Sequence, residues 1–236
     1  MSEKDLCKPT NEFVLEIRYK PNATILDFRG LWSEKISSNM WFTEWRIVEN
    51  RADIYTKDGS NRCFVGFRNA GFVTHDSPTA NYFPDQAGKF IRFLLGLDGF
   101  NNPLFIERIG VRAKFLTPHT DTFEDLLQRY TQHYLRLTDV AEKTLGAKLL
   151  DIGGNLNFVD KFGNFNTVSG PMAQEQMNQY FDWKEDLPVV GLYYDIDYWL
   201  KPRKELAEAE TLRNISSFSK EAWSRHDQFR HLILES

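Results

Sequence analysis

The amino-acid sequence predicts an α+β fold: two fused ferredoxin-like (split βαβ) units, forming an antiparallel-rich sheet with helices packed on one face. Three observations carry this expectation. Segments with the two-residue alternation of a half-buried strand interchange with segments of helical period, in the order βαββα, βαββα, βα. The strands that open these units start near Phe13, Phe105 and Val189, a spacing of roughly ninety residues that reads as internal duplication. Within each unit the paired strands are joined by short turn signals, as hairpins require. The halves are expected at 1–103 and 104–236. No Pro/Gly/Ser-rich linker separates them, so a shared core is expected, in one continuous sheet or two.

In chain order, Glu12 to Tyr19 alternates Phe13, Leu15, Ile17 and Tyr19 with charged residues and reads as a strand ended by Pro21. Asn22 or Thr24 then caps a helix with Ile25, Phe28, Leu31, Trp32 and Ile36 on its apolar face. Trp41 to Tyr55 and Arg62 to Thr74 read as one antiparallel pair around the turn Lys57-Asp58-Gly59-Ser60. Tyr82 to Leu97 carries a helical stripe, stopped by Gly99 and Asn101-Asn102-Pro103. The central strand is Phe105 to Phe115, with Phe105, Ile109, Val111 and Phe115 apolar against Arg108, Arg112 and Lys114.

Beyond a breaker at Thr117 to Asp121, the strongest helical stripe runs from Phe123 to Leu145 through Leu127, Tyr130, Tyr134, Leu137 and Ala141, closed by Gly146. Ala147 to Val159 and Phe162 to Val168 form a second hairpin around Asp160-Lys161, with a bulge or bend at Gly153-Gly154. Pro171 is expected to open a short helix to Phe181. Leu187 to Leu200 is a strand with Tyr194, Ile196 and Tyr198 on one face and Tyr193, Asp195, Asp197 and Trp199 on the other. The final helix places Leu212, Ile215, Ala222, Phe229 and Ile233 on one side.

Composition narrows the function classes. The chain has 236 residues, and its 29 Lys and Arg against 33 Asp and Glu give a net charge of −4, so no overall basic field draws it to nucleic acid or anionic lipid. Cys7 and Cys63 have no metal-ligand spacing and are expected as free thiols in a reducing, cytoplasmic setting. No run reaches the roughly 20 apolar residues of a membrane span. A nucleophile elbow, an H-E-x-x-H pair and a phosphate-cradling glycine loop are all missing from the sequence. No cofactor is expected.

Three groups of residues are candidates for chemistry. Asp195 and Asp197 share one face of a strand and are candidate ligands for a divalent cation; the structural alternative is that they balance Arg108, Arg112 and Lys114 on the neighbouring strand. Those three cations are themselves candidate binding residues, a small basic stripe if exposed alone, and neutralisation by the aspartates is the expected outcome. His75, His119 and Asp121 lie in loops after strands, where acid/base residues gather and where His and Asp also serve as ordinary turn and cap residues. His226 is expected as a core histidine. Arg62 to Phe67 shares aromatics and a glycine with an RNA-recognition strand, in the wrong order.

The Ile106 to Arg112 strand, the Leu192 to Asp197 strand and the last helix with His226 resemble a sporadically distributed, uncharacterised family of bacterial and archaeal proteins. Its members have an I-G-L-R-Y-type strand at mid-chain and a D-x-D-like strand before a C-terminal helix. Ala113 departs from the pattern, which prefers an aromatic there. The resemblance implies a prokaryotic cytoplasmic setting and defence-associated gene neighbourhoods, and brings no activity. The expectation is therefore a non-enzymatic interaction protein, partnered by another protein or by itself as a homodimer, with an apolar surface extended by the last helix. The alternatives are a metal-dependent hydrolase or nuclease using Asp195 and Asp197 with His75 or His119, and single-stranded nucleic-acid binding on the sheet through Phe64 and Phe67.

Overall fold

The computed structural model describes residues 9–97, 100, 106–135, 140–145, 148–202 and 207–235. Cys7, the stop signals Gly99 and Asn101-Asn102-Pro103, Phe105, Leu137 and Gly146 lie outside the described residues. The architecture is α+β. Among the described residues nine strands form one antiparallel sheet: β1 (Thr10–Tyr19), β2 (Glu44–Ile47), β3 (Arg51–Tyr55), β4 (Asn61–Gly66), β5 (Asn69–His75), β6 (Ile106–Pro118), β7 (Gly154–Val159), β8 (Asn164–Ala173) and β9 (Val190–Leu200). Their spatial order is β2-β3-β4-β5-β1-β6-β9-β8-β7. The eight ladders among these strands are all antiparallel.

The helices are α1 (Thr24–Asn39), α2 (Tyr82–Leu95), α3 (Phe123–Tyr130), α4 (Val140–Leu145), α5 (Gln174–Tyr180) and α6 (Glu208–Leu234). One face of the sheet carries Phe13, Leu15 and Ile17 from β1, Ile109, Val111, Ala113 and Phe115 from β6, and Tyr194, Ile196 and Tyr198 from β9. Those residues, Ile25, Trp32 and Ile36 of α1, Phe83, Phe90 and Leu94 of α2, Leu126 and Tyr130 of α3, and Ile215, Phe218, Phe229 and Ile233 of α6 form a single buried cluster. His226 belongs to this layer: its ring stacks 4.2 Å from Phe115, and Nε2 lies 3.0 Å from the Thr117 hydroxyl. Among the described residues the opposite face is covered at one end, where Met177 of α5, Phe181 and Leu187 pack on Leu116 and Tyr193.

Several expected elements are corrected. The aromatic-rich stretch from Trp41 to Thr74 yields four strands in place of two. Glu49-Asn50 turns the chain between β2 and β3, where Val48 N–H donates to the Arg51 carbonyl, and Phe67-Arg68 separates β4 from β5. The Lys57 to Ser60 turn forms as expected, with Gly59 at φ 70°. The segment from Phe123 onward is not one regular helix: α3, closed at its N-terminus by a capping box between Thr122 and Asp125, passes into a π-helical turn at Thr131–Leu135, and α4 follows separately. Pro171 does not open a helix. It extends β8 beyond the last β7 pair, Gly154 with Ser169, so its missing N–H costs no ladder bond on that side. The strand from Val190, β9, lies between β6 and β8.

Two glycines make opposite predictions. A Cβ on Gly71 would meet the Leu15 carbonyl of the next strand and lie 2.5 Å from the Phe64 ring. One on Gly30, inside α1, would meet nothing within 4 Å. Gly71→Ala is expected to lower stability by about 1–3 kcal/mol, and Gly30→Ala to raise it by about 0.5–1 kcal/mol through helix propensity. Urea denaturation midpoints of the two variants check both signs.

Candidate interaction surface

The face of the sheet opposite the main helical layer brings together most of the residues singled out from the sequence. Antiparallel register places directly opposed side chains on the same face. One cross-strand row reads His75, Glu12, Lys114, Asp195, from β5, β1, β6 and β9; the next charged row places Val14 beside Arg112 and Asp197. Lys114 Nζ lies 2.6 Å from Glu12 Oε1. Arg112 reaches diagonally past Asp197 to Asp195, its Nε 2.9 and 3.1 Å from the two carboxylate oxygens and its Nη2 2.5 Å from one of them. Arg108 does the same one step along, with Nη2 2.6 Å from Asp197 and Nη1 3.5 Å from Glu16. Arg18 closes on Glu16 at 2.7 Å.

Asp195 is only 5 % exposed, and a carboxylate so enclosed requires partners. Besides the Arg112 fork it accepts a hydrogen bond from the Tyr193 hydroxyl at 3.1 Å. That environment raises the pKa of Arg112 through the hydrogen bonds to Asp195, against the opposing effect of burial. For Asp197 burial wins over Arg108 and raises the carboxyl. Burial also pushes Glu12 up, but the hydrogen bond from His75 and the charge of Lys114 outweigh it and hold Glu12 down to about 2. Arg108, Arg112 and Lys114 are thus each occupied by a carboxylate. The guanidinium of Arg112 also fills the approach to Asp195 that a metal ion would need. Among the described residues no group of three or more His, Cys, Asp or Glu is placed to hold a metal ion.

Of the two histidines expected in loops, His75 ends β5 and His119 follows β6. His75 stacks flat on Trp183, with centroids 4.3 Å apart and planes within 1°, and its Nε2 is 3.3 Å from Glu12. The neighbouring Asp76 binds Lys184, so the segment after α5 is fastened over the end of β5. Three strand spacings, about 14 Å, separate His75 from Asp195 in their shared row, too far to act on one small group together. His119 Nε2 is 3.1 Å from Asp121, which Arg129 also approaches at 3.6 Å. Phe64 lies on this face, only 8 % exposed and beneath Arg51, whereas Phe67 falls in the turn after β4.

A surface that the sequence reading missed lies at the β2 edge. All four residues of β2 are exposed, Trp45 at 50 % and Ile47 at 42 %. Among the described residues only β3 pairs with β2, so its other side is a free strand edge. The strand is held in place: Arg29 of α1 donates to the Val48 carbonyl at 2.8 Å and to the Glu49 carbonyl, pinning the turn that follows. By contrast Ile215, Ala222, Phe229 and Ile233 of α6 are buried against the sheet, so the last helix does not extend an apolar surface outward. Phe28 and Leu31, expected in the core stripe of α1, are 40 % and 44 % exposed because α1 packs through Ile25, Trp32 and Ile36. No local sequence signal marks this edge: the Glu49-Asn50 turn that isolates Glu44–Ile47 contains neither glycine nor proline.

Compared with known proteins, the chain matches no family profile and no curated protein.

The Glu12 pairing makes a pH-dependent prediction. A carboxyl held at about 2 in the folded chain and near 4.5 otherwise contributes stability above pH 4.5, and loses it as pH falls toward 2. Glu12→Gln, which leaves Lys114 without its carboxylate, is expected to cost up to about 3.5 kcal/mol at pH 7, at 1.4 kcal/mol per unit. Its deficit should shrink progressively in denaturation curves taken between pH 4.5 and 2.5; a deficit constant with pH contradicts the assignment.

Proposed function

We propose that this chain is a protein-interaction module that docks its partner by strand addition to the free edge of β2. The observation that carries the reading is the exposure of the whole of β2, with Trp45 and Ile47 presented beside an unpaired backbone edge. Strand addition supplies main-chain hydrogen bonds for affinity, and alternate side chains supply selectivity. Soluble proteins commonly blunt such edges; this one is kept rigid by Arg29 and displays a tryptophan, a residue type enriched where binding energy concentrates. The reading is also supported by the state of the other candidates, since the carboxylates and cations of the open face are engaged with one another. The strand order supports a related proposal: outward from the β1–β6 seam, β5-β4-β3 is matched by β9-β8-β7, as two copies of one ancestral unit would give.

A tagged chain crosslinked in the cells it comes from is expected to retain a protein whose crosslinks map to Glu44–Ile47. With that protein purified, Trp45→Lys/Ile47→Lys should weaken the reconstituted complex at least about tenfold, as loss of a central aromatic anchor does, while circular dichroism stays unchanged. A complex that forms equally well with the double variant, or the lack of any complex, ends this reading.

A further inference from the structure

The partner fitted by the β2 edge is identified by the edge itself. We infer that two copies of this chain pair β2 against β2 antiparallel, with the dyad passing between the two Trp45 residues; this rests on β2 being the docking edge. Three independent features converge on that arrangement: the direction of the backbone groups, the identity of the faces, and the sign of the charges.

The backbone comes first. At the turn after β2, Val48 donates to Arg51, and the register pairs Arg46 with Asp53 and Glu44 with Tyr55. Hydrogen-bonded and non-hydrogen-bonded positions alternate along an antiparallel ladder. Glu44, Arg46 and Val48 therefore turn their N–H and C=O groups toward β3, and Trp45 and Ile47 turn theirs outward. A second β2 strand must meet Trp45 and Ile47 with its own outward positions. With the dyad at Trp45, the two Trp45 residues exchange N–H and C=O bonds, and the Ile47 N–H of each copy meets the Thr43 carbonyl of the other, the Thr43 N–H being held by the Tyr55 carbonyl of its own β3.

The faces and charges select the same register. Trp45 and Ile47 lie on the helix-bearing side, opposite Ile54 and Ala52, while Glu44 and Arg46 lie on the open face, opposite Tyr55 and Asp53. A continuous antiparallel sheet keeps each side chain on its face only if opposed residue numbers are both odd or both even. Centring on Trp45 sets Glu44 of each copy opposite Arg46 of the other, two reciprocal opposite-charge pairs. Centring one residue earlier opposes Glu44 to Glu44, and one residue later opposes Arg46 to Arg46; like charges directly opposed destabilise a ladder. Arg46 is free to turn outward, since its side chain is 69 % exposed and only 3.7 Å from Asp53 at its nearest. The strand Glu44-Trp45-Arg46-Ile47 is thus self-complementary, as an isologous two-fold contact demands.

The charges give the test. Wild type is expected to sediment as a dimer in low salt. Glu44→Arg and Arg46→Glu should each raise the dimer dissociation constant at least about tenfold, because each replaces two attractive pairs with two repulsive ones. An equimolar mixture of the two variants should recover the dimer, because an edge bearing two arginines then faces an edge bearing two glutamates. Trp45→Cys in a Cys7→Ser background should form an intermolecular disulfide on mild oxidation, since paired Cα atoms across such a ladder lie about 5.5 Å apart. A wild type that stays monomeric at its highest soluble concentration overturns the self-pairing, as does a dimer indifferent to both single variants or a mixture that fails to re-form it. If the chain is monomeric yet its complex with another protein is broken by Trp45→Lys/Ile47→Lys, the self-pairing alone has failed; if neither association responds to β2, the docking reading has failed with it.

Discussion

The register of β1 against β6 is the constraint on which the remaining structure depends. Phe13 stands opposite Ala113, Leu15 opposite Val111 and Ile17 opposite Ile109, while Glu12 stands opposite Lys114 on the other side. A slip of one residue in β1 would send its entire apolar set to the open face and carry Glu12 and Glu16 beneath α2 and α6. Each large apolar side chain so exposed forfeits about 1.5–3 kcal/mol, and each unpaired charge so buried costs more. The alternation in β1 and β6 therefore admits one pairing, and that pairing decides where α6 can lie. Phe115 meets His226 and Trp223 on α6, and Tyr194 on β9 meets Phe229.

The open face follows from the same register by a different force. Once β1, β6 and β9 have spent their apolar residues on the helical side, their remaining positions bring four carboxylates on β1 and β9, Glu12, Glu16, Asp195 and Asp197, within reach of cations on β6. Arg112 and Arg108 reach across diagonally, which a guanidinium on a long stem does more readily than a short side chain. The result is a lattice in which each charge limits its neighbour's freedom. Buried ion pairs of this kind add little net stability against an apolar alternative, but removing one member leaves an uncompensated charge. Such a lattice specifies alignment of the three strands, with its anions paired to its cations.

Elements whose evidence lies within themselves were legible from the sequence. Alternation in β1, β6 and β9 and the helical stripes of α2 and α6 are local patterns, and the Lys57-Asp58-Gly59-Ser60 turn carries its glycine at the left-handed position. The alternation also put Asp195 and Asp197 on the face opposite Tyr194 and Ile196, so their meeting with β6 cations was readable, whereas the choice of partner was not: that depends on side-chain reach along a diagonal. Short turns inside aromatic runs were hidden because Glu49-Asn50 and Phe67-Arg68 contain no glycine or proline. Pro171 was misread because proline breaks a ladder only where a neighbour needs its N–H, and the end of β7 lies in a different part of the chain. Edge position was illegible for the same reason: Trp45 and Ile47 have the pattern of a half-buried strand, and their exposure comes from the lack of a further strand beyond β2 among the described residues.

That lack gives β2 a dual character. A free edge is a hazard because any strand of suitable length can add to it, and proteins restrain this by shortening the edge and charging it. At four residues β2 is short, and Glu44 and Arg46 charge its open face. Charges of both signs, however, do not repel indiscriminately. They reject a neighbour that sets like against like, and they accept one that sets Glu44 against Arg46 twice over. In the self-pairing inferred above, the features that protect the edge from random addition are the features by which it would recognise its own sequence, and the hydrogen bonds from Arg29 hold the turn that follows it. On that inference, protection from misassembly and specificity of assembly would be one physical property of the same four residues.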